Sequence, residues 1–60
     1  MSEQTKKVGE RIRLIRMSKD IPQAIVAESI GVSQSLLSNI ESGRCNVTLD
    51  NLIKLHDVLK

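Results

Sequence analysis

The segment Gly31-Val-Ser-Gln-Ser-Leu-Leu-Ser-Asn-Ile-Glu-Ser-Gly43 predicts one short amphipathic helix over residues 33–42. A serine at the capping position and glycines on either side are typical helix boundaries. One face is apolar, and the opposite face carries uncharged hydrogen-bonding groups. The apolar residues are Val32, Leu37 and Ile40, and the polar ones are Gln34, Ser35, Ser38, Asn39 and Ser42. We expect the apolar face to pack on the chain and the polar face to meet a polar partner.

A second short helix precedes this one across a tight turn. Pro22 disfavours helical geometry at Ile21 and fits the first position of a helix, which predicts a helix from Pro22 to Ile30. Gly31 ends it, so three residues separate the two helices. Its inward-facing residues are expected to be Val26, Ala27 and Ile30. Two short helices joined by a glycine-containing turn form a helix-turn-helix unit, here residues 22–43.

The first helix is expected to run from Glu3 or Lys6 to Lys19, capped by Ser2 or Thr5. Gly9 lies within it and lowers its propensity by about 1 kcal/mol relative to alanine, which indicates close packing against another helix. A predicted buried stripe comprises Val8, Ile12 and Ile15. Two apolar residues are expected to point away from that stripe, Leu14 and Met17.

A fourth helix follows the loop after Gly43. Thr48 is the expected cap, and Asp50 lies near the positive end of the helix. Its predicted apolar face comprises Leu49, Leu52, Ile53, Leu55 and Leu59. Four helices without strand periodicity predict an all-α protein, with residues 1–60 forming one compact domain.

Composition excludes several classes of function. The chain has 60 residues and lacks Phe, Tyr and Trp, so bases cannot stack on aromatic side chains as they do in many single-strand and RNA binders. No run approaches about 18 apolar residues, and no signal peptide is apparent, so we expect a cytoplasmic protein without a membrane partner. Cys45 and His56 are each the only residue of their type, which gives no disulfide framework and no zinc pair. We expect no cofactor, no metal and no enzymatic activity, since nothing catalytic accompanies these two residues.

The charge is unevenly distributed along the chain. Residues 1–19 carry six basic side chains against two acidic ones, whereas residues 20–43 contain no Lys or Arg. A polyanion would therefore meet helix N-termini, hydroxyls and amides in the middle of the chain, with basic groups at the flanks. Alternatively, the N-terminal charges form an ordinary solvated face.

Three segments carry a family resemblance: Gln23-Ala-Ile-Val-Ala27, Gly31-Val-Ser-Gln-Ser35 and Ser38-Asn-Ile-Glu-Ser-Gly43. They resemble the phage-repressor and Cro type of helix-turn-helix, also called the xenobiotic-response-element type. The similarity covers about residues 8 to 59, and polar positions match in register alongside apolar ones. It implies a lambda-repressor-like fold of four helices, in which the fifth helix that often builds the dimer in relatives is absent.

The resemblance implies a role for individual residues at double-stranded DNA. Gln23 resembles the glutamine that binds a phosphate and braces the recognition helix, and Arg44 resembles a phosphate contact at the groove edge. Gln34 and Ser35 resemble the first residues facing the major groove, where a glutamine can bind an adenine edge. Leu36 either meets a thymine methyl group or is simply a partly exposed leucine. The full expected DNA-binding set is Gln23, Ser33, Gln34, Ser35, Leu36, Ser38, Asn39 and Arg44.

Other matching positions have structural roles. Arg16 and Glu41 match an ion pair between the first and third helices of relatives, and Arg13 is expected to be structural or solvated. The chain departs from the family pattern at a few positions. Asp20 replaces a glycine and is expected in a left-handed turn, Pro22 replaces a Ser or Thr cap, and Ile25 is apolar at an exposed position. Two further departures are Val47 and His56.

The function that this resemblance implies is a transcriptional regulator, expected to be a repressor. Residues 33–42 would enter the major groove, and two copies would bind a palindromic operator as a homodimer. The alternative is a protein-interaction module with a helix-turn-helix shell, which binds another regulator or a toxin-like partner. Its motivation is the neutral face of the third helix and the apolar residues Leu14, Met17 and Ile25.

Overall fold

The structure, a computed structural model, describes residues 3–60 apart from the side chain of Gln4. It contains four helices, α1 (Glu3–Ser18), α2 (Gln23–Ile30), α3 (Gln34–Glu41) and α4 (Leu49–Leu59), and no strand among the described residues. The predicted all-α, four-helix fold is confirmed. None of these helices combines the length and apolar character that a membrane-spanning helix needs.

The helix ends follow the predicted local signals. Gly31 ends α2 in the left-handed conformation, with φ of 77°, and its N–H donates back to the last turn. Thr48 caps α4 by accepting the N–H of Asn51 at 3.1 Å, and Asp20 has a positive φ of 55°, both as predicted. Pro22 is the residue before α2 and makes no side-chain cap bond, so α2 begins one residue later than the predicted Pro22.

The sequence predicts Ser2 or Thr5 as the cap of α1, and the prediction for Thr5 is wrong. Ser2 lies outside the described residues. Thr5 lies within α1, because the helix already begins at Glu3, and its hydroxyl donates to Oδ1 of Asn46 in the loop before α4. Thr5 therefore joins α1 to that loop.

The core is smaller than the apolar stripes of α1 and α4 predict. Its buried residues are Ile12, Val26, Ala27, Ile30, Leu37, Ile40, Leu55 and Leu59. Burial of Val8 and Ile15 was wrongly predicted, since each is 38% exposed. The predicted apolar face of α4 is likewise only partly buried, with Leu49, Leu52 and Ile53 exposed. For Val8, Ile15 and Leu52 the physical reason is that α1 and α4 leave between them a groove of about 740 Å³, which these three side chains line. Leu49 and Ile53 do not line this groove.

Close packing at Gly9 is confirmed. A Cβ atom at this position would overlap the carbonyl oxygen of Ile40 and lie 3.1 Å from the carbonyl oxygen of Glu41. The absence of a side chain at Gly9 thus lets the backbone of α1 approach the end of α3. This approach anchors α3 while leaving its opposite face uncovered.

Candidate nucleic-acid interface

The polar face of α3 is exposed along its length. Leu37, Ile40 and Glu41 are buried, so the other side chains of this helix point away from the core. Gln34, Ser35, Leu36 and Ser38 are exposed, and Asn39 is half-buried. The five side chains expected to reach bases therefore share one surface, and their contact with DNA stays a prediction.

Ser33 determines where α3 begins. Its backbone is extended, and its Oγ accepts the N–H of Leu36 at 3.0 Å. Since this bond uses the hydroxyl oxygen as acceptor, the hydroxyl proton can still be donated to another group. A donor at a helix N-terminus lies beside backbone N–H groups that attract anions, which is suitable for a phosphate oxygen.

Gln23 connects the first turn of α2 to α3. Its Nε2 donates to Oε1 of Glu41 at 3.1 Å, and its Oε1 accepts from Nε2 of Gln34 at 3.4 Å. Gln23 is half-buried, whereas Gln34 is exposed. These two predicted DNA-binding residues therefore touch each other in the structure.

Arg16 and Glu41 form an ion pair at the back of this surface. Nε of Arg16 lies 2.7 Å from Oε2 of Glu41, and Nη2 lies 3.0 Å from Oε1. The two side chains are 13% and 4% exposed. A further bond of 2.9 Å from Nη1 of Arg16 to the carbonyl oxygen of Ile21 holds the guanidinium against the turn before α2. The pair thus ties α1, α3 and that turn together.

A polar cavity of about 340 Å³ lies beside the ion pair. Its lining residues are Arg13, Arg16, Gln23, Ser38, Glu41 and Ser42. Gln23 and Ser38 belong to the predicted DNA-binding set, and Ser42 belongs to the predicted polar face of α3. Arg13 was expected to be structural or solvated, and its place in the lining of this cavity was not predicted. Arg13 precedes Arg16 by three residues, so helical spacing alone already places both side chains on neighbouring parts of one face.

Arg44 lies directly after α3. Its N–H donates to the carbonyl oxygen of Asn39 at 2.8 Å, which fixes the backbone at the end of the polar face of α3. The side chain is exposed. The ion pairs among residues 3–60 are Arg16 with Glu41 and Lys54 with Asp50, and Arg44 takes part in neither. Its guanidinium is available to an anion at the edge of the surface.

Cys45 and His56 lie in different environments. Cys45 is half-buried against the core, and His56 is exposed on α4. Within the described part of the chain, no group of three or more His, Cys, Asp and Glu side chains could hold a metal ion.

Known proteins share this arrangement. The family model described as helix-turn-helix, of the Cro/C1 type, matches residues 12–60. The crystal structure of the restriction-modification controller protein C.AhdI from Aeromonas hydrophila is similar with a TM-score of 0.91 and 33% sequence identity, over 97% of this chain and 88% of that chain. No curated protein sequence matches the chain at a significant level. The chain belongs to the Cro/C1-type helix-turn-helix family and is a DNA-binding transcriptional regulator.

Proposed function

We propose that the protein recognises a specific double-stranded DNA sequence by inserting α3 into the major groove and that it represses transcription in the cytoplasm. The observation that carries this proposal is the exposed, uncharged polar face of α3, backed by buried apolar residues on the same helix. Amides and hydroxyls at base edges supply sequence discrimination, since the major groove displays a distinct donor and acceptor pattern for each base pair.

The site residues divide into two roles. Gln23, Ser33 and Arg44 contact phosphates and fix the register of the protein on the duplex. Gln34, Ser35 and Asn39 contact base edges, with Leu36 and Ser38 beside them. Leu36 is 36% exposed, which leaves enough of its side chain for contact with a thymine methyl group.

The protein acts as a homodimer on a palindromic operator. Residues 20–43 contain no Lys or Arg, so the non-specific electrostatic attraction of one copy for DNA is weak. The groove between α1 and α4 is the proposed contact between copies, since it is apolar and no residue of α3 lines it. Its rim carries Lys7, Glu10 and Arg11, charges of both signs that a two-fold axis can pair.

The test is selection of bound sequences from a random duplex pool, followed by affinity measurement on the selected site over a range of salt concentrations. We expect two half-sites about one helical turn apart and an affinity that falls as salt rises. The double variant Gln34→Ala with Asn39→Ala should bind the selected site at least about 30-fold more weakly, because each base contact contributes roughly 1–3 kcal/mol. Ser29→Ala, an exposed polar change on α2, is the matched control and should bind normally.

Two results would contradict the proposal. One is an affinity that does not respond to salt, and the other is unchanged binding by the double variant. Failure to select any sequence, together with tight association with a protein partner, would instead favour the interaction module. A reporter gene carrying the selected site at its promoter distinguishes repression, which we expect, from activation.

The similarity to C.AhdI supplies a candidate set of regulated genes. That protein is described as a restriction-modification controller, and 33% identity over 97% of this chain supports an equivalent role here. We therefore propose that the operator lies beside restriction-modification genes. A selected half-site that is absent from the DNA upstream of such genes in the source genome would contradict this assignment.

A further inference from the structure

His56 lines the groove between α1 and α4 and is the only histidine of the chain. Its side chain is exposed, and among the described residues it takes part in no ion pair. Histidine is the side chain that ordinarily gains or loses its charge between about pH 5 and pH 8. The net charge of the groove can therefore change near neutral pH through this one residue.

The apolar part of the groove favours the uncharged form of His56 in a contact between copies. The apolar lining residues are Val8, Ile12, Leu14, Ile15, Leu52, Leu55 and Leu59. A neutral imidazole can be buried against such side chains if its polar atoms find partners, whereas burial of an unpaired charge costs far more free energy. A second copy that covers the groove therefore excludes water more readily when His56 is neutral.

The charged part of the groove favours the same form. Three basic side chains and one acidic side chain line the groove with His56: Lys7, Arg11 and Lys60 against Glu10. Basic groups still outnumber acidic ones when only α1 is considered, because Lys60 is the one charged lining residue outside it. In addition, Nζ of Lys19 donates to the carbonyl oxygen of Lys60 at 3.4 Å, which places a further positive group near that end. A proton on His56 would thus increase a charge that is already positive.

Acidic side chains on the packed elements do not offset this charge. Besides α1, the helix α2 packs against α4, and its charged residue Glu28 does not line the groove. On α4 itself, Asp50 forms an ion pair with Lys54 at 3.2 Å outside the lining, and Asp57 also lies outside it. No residue of α3 lines the groove. Glu10 is therefore the one carboxylate side chain in the lining.

We propose that His56 makes the association of two copies depend on pH, so that the copies associate when its imidazole is neutral and separate when it is protonated. This inference rests on the proposed use of the groove as the contact between copies. A two-fold contact contains the grooves of both chains, so protonation of His56 adds two positive charges to it.

The sign of the effect follows from proton linkage. A separated chain binds a proton at His56 more readily than a chain in the dimer, so a fall in pH favours separation. The dimer should be at its most stable above the pH range in which histidine titrates and should weaken as the pH falls through that range. Since the two copies bind the two halves of a palindrome, the affinity for the full operator should fall with the dimer, whereas the affinity for an isolated half-site should not.

The experiment measures the dissociation constant of the dimer by sedimentation at about pH 7.5 and about pH 5.5, the range in which histidine changes its charge. For the wild-type protein this constant should be at least about tenfold larger at the lower pH, because like charges brought together in an interface are unfavourable. Carboxylates remain largely ionised at the lower pH, and the chain has no other histidine. The dissociation constant of His56→Gln should therefore differ by less than about twofold between the two conditions, since its side chain does not titrate.

A second pair of variants tests the charge at constant pH. His56→Lys places a permanent positive charge in the groove and should weaken the dimer at about pH 7.5 to the same degree as acid weakens the wild type. Ile53→Lys is the matched control, because Ile53 is an exposed, uncharged residue of the same helix that does not line the groove. It adds the same charge to α4 and should dimerise as the wild type does. Circular dichroism at both pH values verifies that each variant is folded.

The outcomes distinguish this inference from the proposed function. A dimer that is equally stable at the two pH values, or a pH dependence that His56→Gln retains, would overturn the role of His56 while the homodimer stands. Equal weakening by His56→Lys and Ile53→Lys would likewise overturn it, since the position of the charge would not matter. A protein that stays monomeric at all concentrations, or a dimer that Leu14→Ser does not weaken, would instead contradict the proposed contact between copies, and this inference with it.

Discussion

The helix-turn-helix unit, α2 and α3, uses its apolar residues differently from the frame of α1 and α4. Among residues 3–60, five of the eight buried core residues belong to the unit, although each of its helices has only eight residues. Seven of the nine exposed large apolar residues in the described part of the chain belong to the frame. The unit therefore supplies most of the buried apolar side chains and presents a polar face, whereas the frame retains apolar surface beyond what the core needs.

The two regions therefore have different structural roles in this small protein. A chain of 60 residues buries only about 60% of its unfolded surface, so its stability depends on a few well-packed side chains. The unit supplies most of those side chains and presents the polar face of α3. The frame anchors α3 at Gly9 and leaves the groove between α1 and α4 open to another surface.

The largest expected effect tests the contrast between the two regions directly. Leu37 of α3 is 0% exposed and Leu49 of α4 is 73% exposed. Leu37→Ala should lower the free energy of unfolding by about 3 to 4 kcal/mol, since it leaves a cavity in the centre of the core. Leu49→Ala should change it by less than about 0.5 kcal/mol.

Urea denaturation followed by circular dichroism measures both free energies. For a domain of this size a loss of about 3 kcal/mol is a large part of the total stability, so Leu37→Ala should be partly unfolded at low urea concentration. Equal losses in the two leucine variants would show that the frame packs as tightly as the unit, and the contrast would be wrong.

A slightly smaller effect is expected at the contact that joins the frame to the unit. A Cβ atom in Gly9→Ala would overlap a backbone oxygen of Ile40, which cannot move aside as a flexible side chain would. We expect a loss of about 2 to 3 kcal/mol, in the range of overpacked cores. Thermal denaturation should show a fall in melting temperature of about 10 °C or more.

Gly31→Asn is the control for this substitution. Gly31 has a positive φ, which asparagine tolerates better than most residues, and a Cβ there would have no neighbour within 4 Å. Its melting temperature should fall much less than that of Gly9→Ala. The reverse order would mean that backbone conformation at the turn, and not the approach of α1 to α3, limits stability.

The sequence predicts the helix-turn-helix unit well because its signals are local. A capping serine at position 33, a glycine at position 31 and the 3.6-residue period of the apolar residues determine both helices and their connection. The burial of the frame depends on how far α1 and α4 diverge, which no local signal encodes. Val8 and Ile15 therefore satisfy the helical period and still remain partly exposed.

The candidate site likewise has one part that local sequence signals predict and one part that depends on how the helices pack. The polar face of α3 follows from periodicity, so the sequence predicts which side chains share it. The bond between Gln23 and Glu41 links residues 18 positions apart on different helices. Such a contact requires the relative placement of α2 and α3, and the ion pair expected from family resemblance named only Arg16 as a partner for Glu41.

Substitution of the helix caps of the two regions should have an intermediate effect on the free energy of unfolding. Ser33 caps α3 and Thr48 caps α4, each by accepting one backbone N–H at about the same distance, 3.0 Å and 3.1 Å. Ser33→Ala and Thr48→Ala should each lower the free energy of unfolding by about 1 kcal/mol. Only Ser33→Ala should also weaken DNA binding, by about fivefold or more, since it removes the proposed phosphate contact together with the cap of α3.

Measurement of affinity on the selected operator at a temperature where both variants are folded separates these effects. A Thr48→Ala protein that binds DNA as weakly as Ser33→Ala would indicate that global stability, not the local order of α3, controls affinity.

Substitutions of Leu14 and Met17 on α1 should have the smallest effect on the free energy of unfolding. They also test most directly whether the groove of the frame is the contact between copies. They are 60% and 51% exposed, but only Leu14 lines the groove. Leu14→Ser and Met17→Ser should each change the free energy of unfolding of the monomer by about 0.5 kcal/mol or less. Sedimentation at increasing protein concentration should nevertheless show that Leu14→Ser dimerises at least about tenfold more weakly, because a two-fold contact loses the apolar side chain twice.

Met17→Ser provides the comparison on the same helix, with a similar exposure and the same new residue. If the groove is the contact between copies, Met17→Ser dimerises normally and binds the full palindrome as the wild type does. Leu14→Ser should then bind an isolated half-site normally but lose affinity on the full palindrome, because only the coupling between the two copies is weakened. Equal dimerisation of the two variants would instead mean that the groove is not the contact between copies, and its proposed use would be wrong.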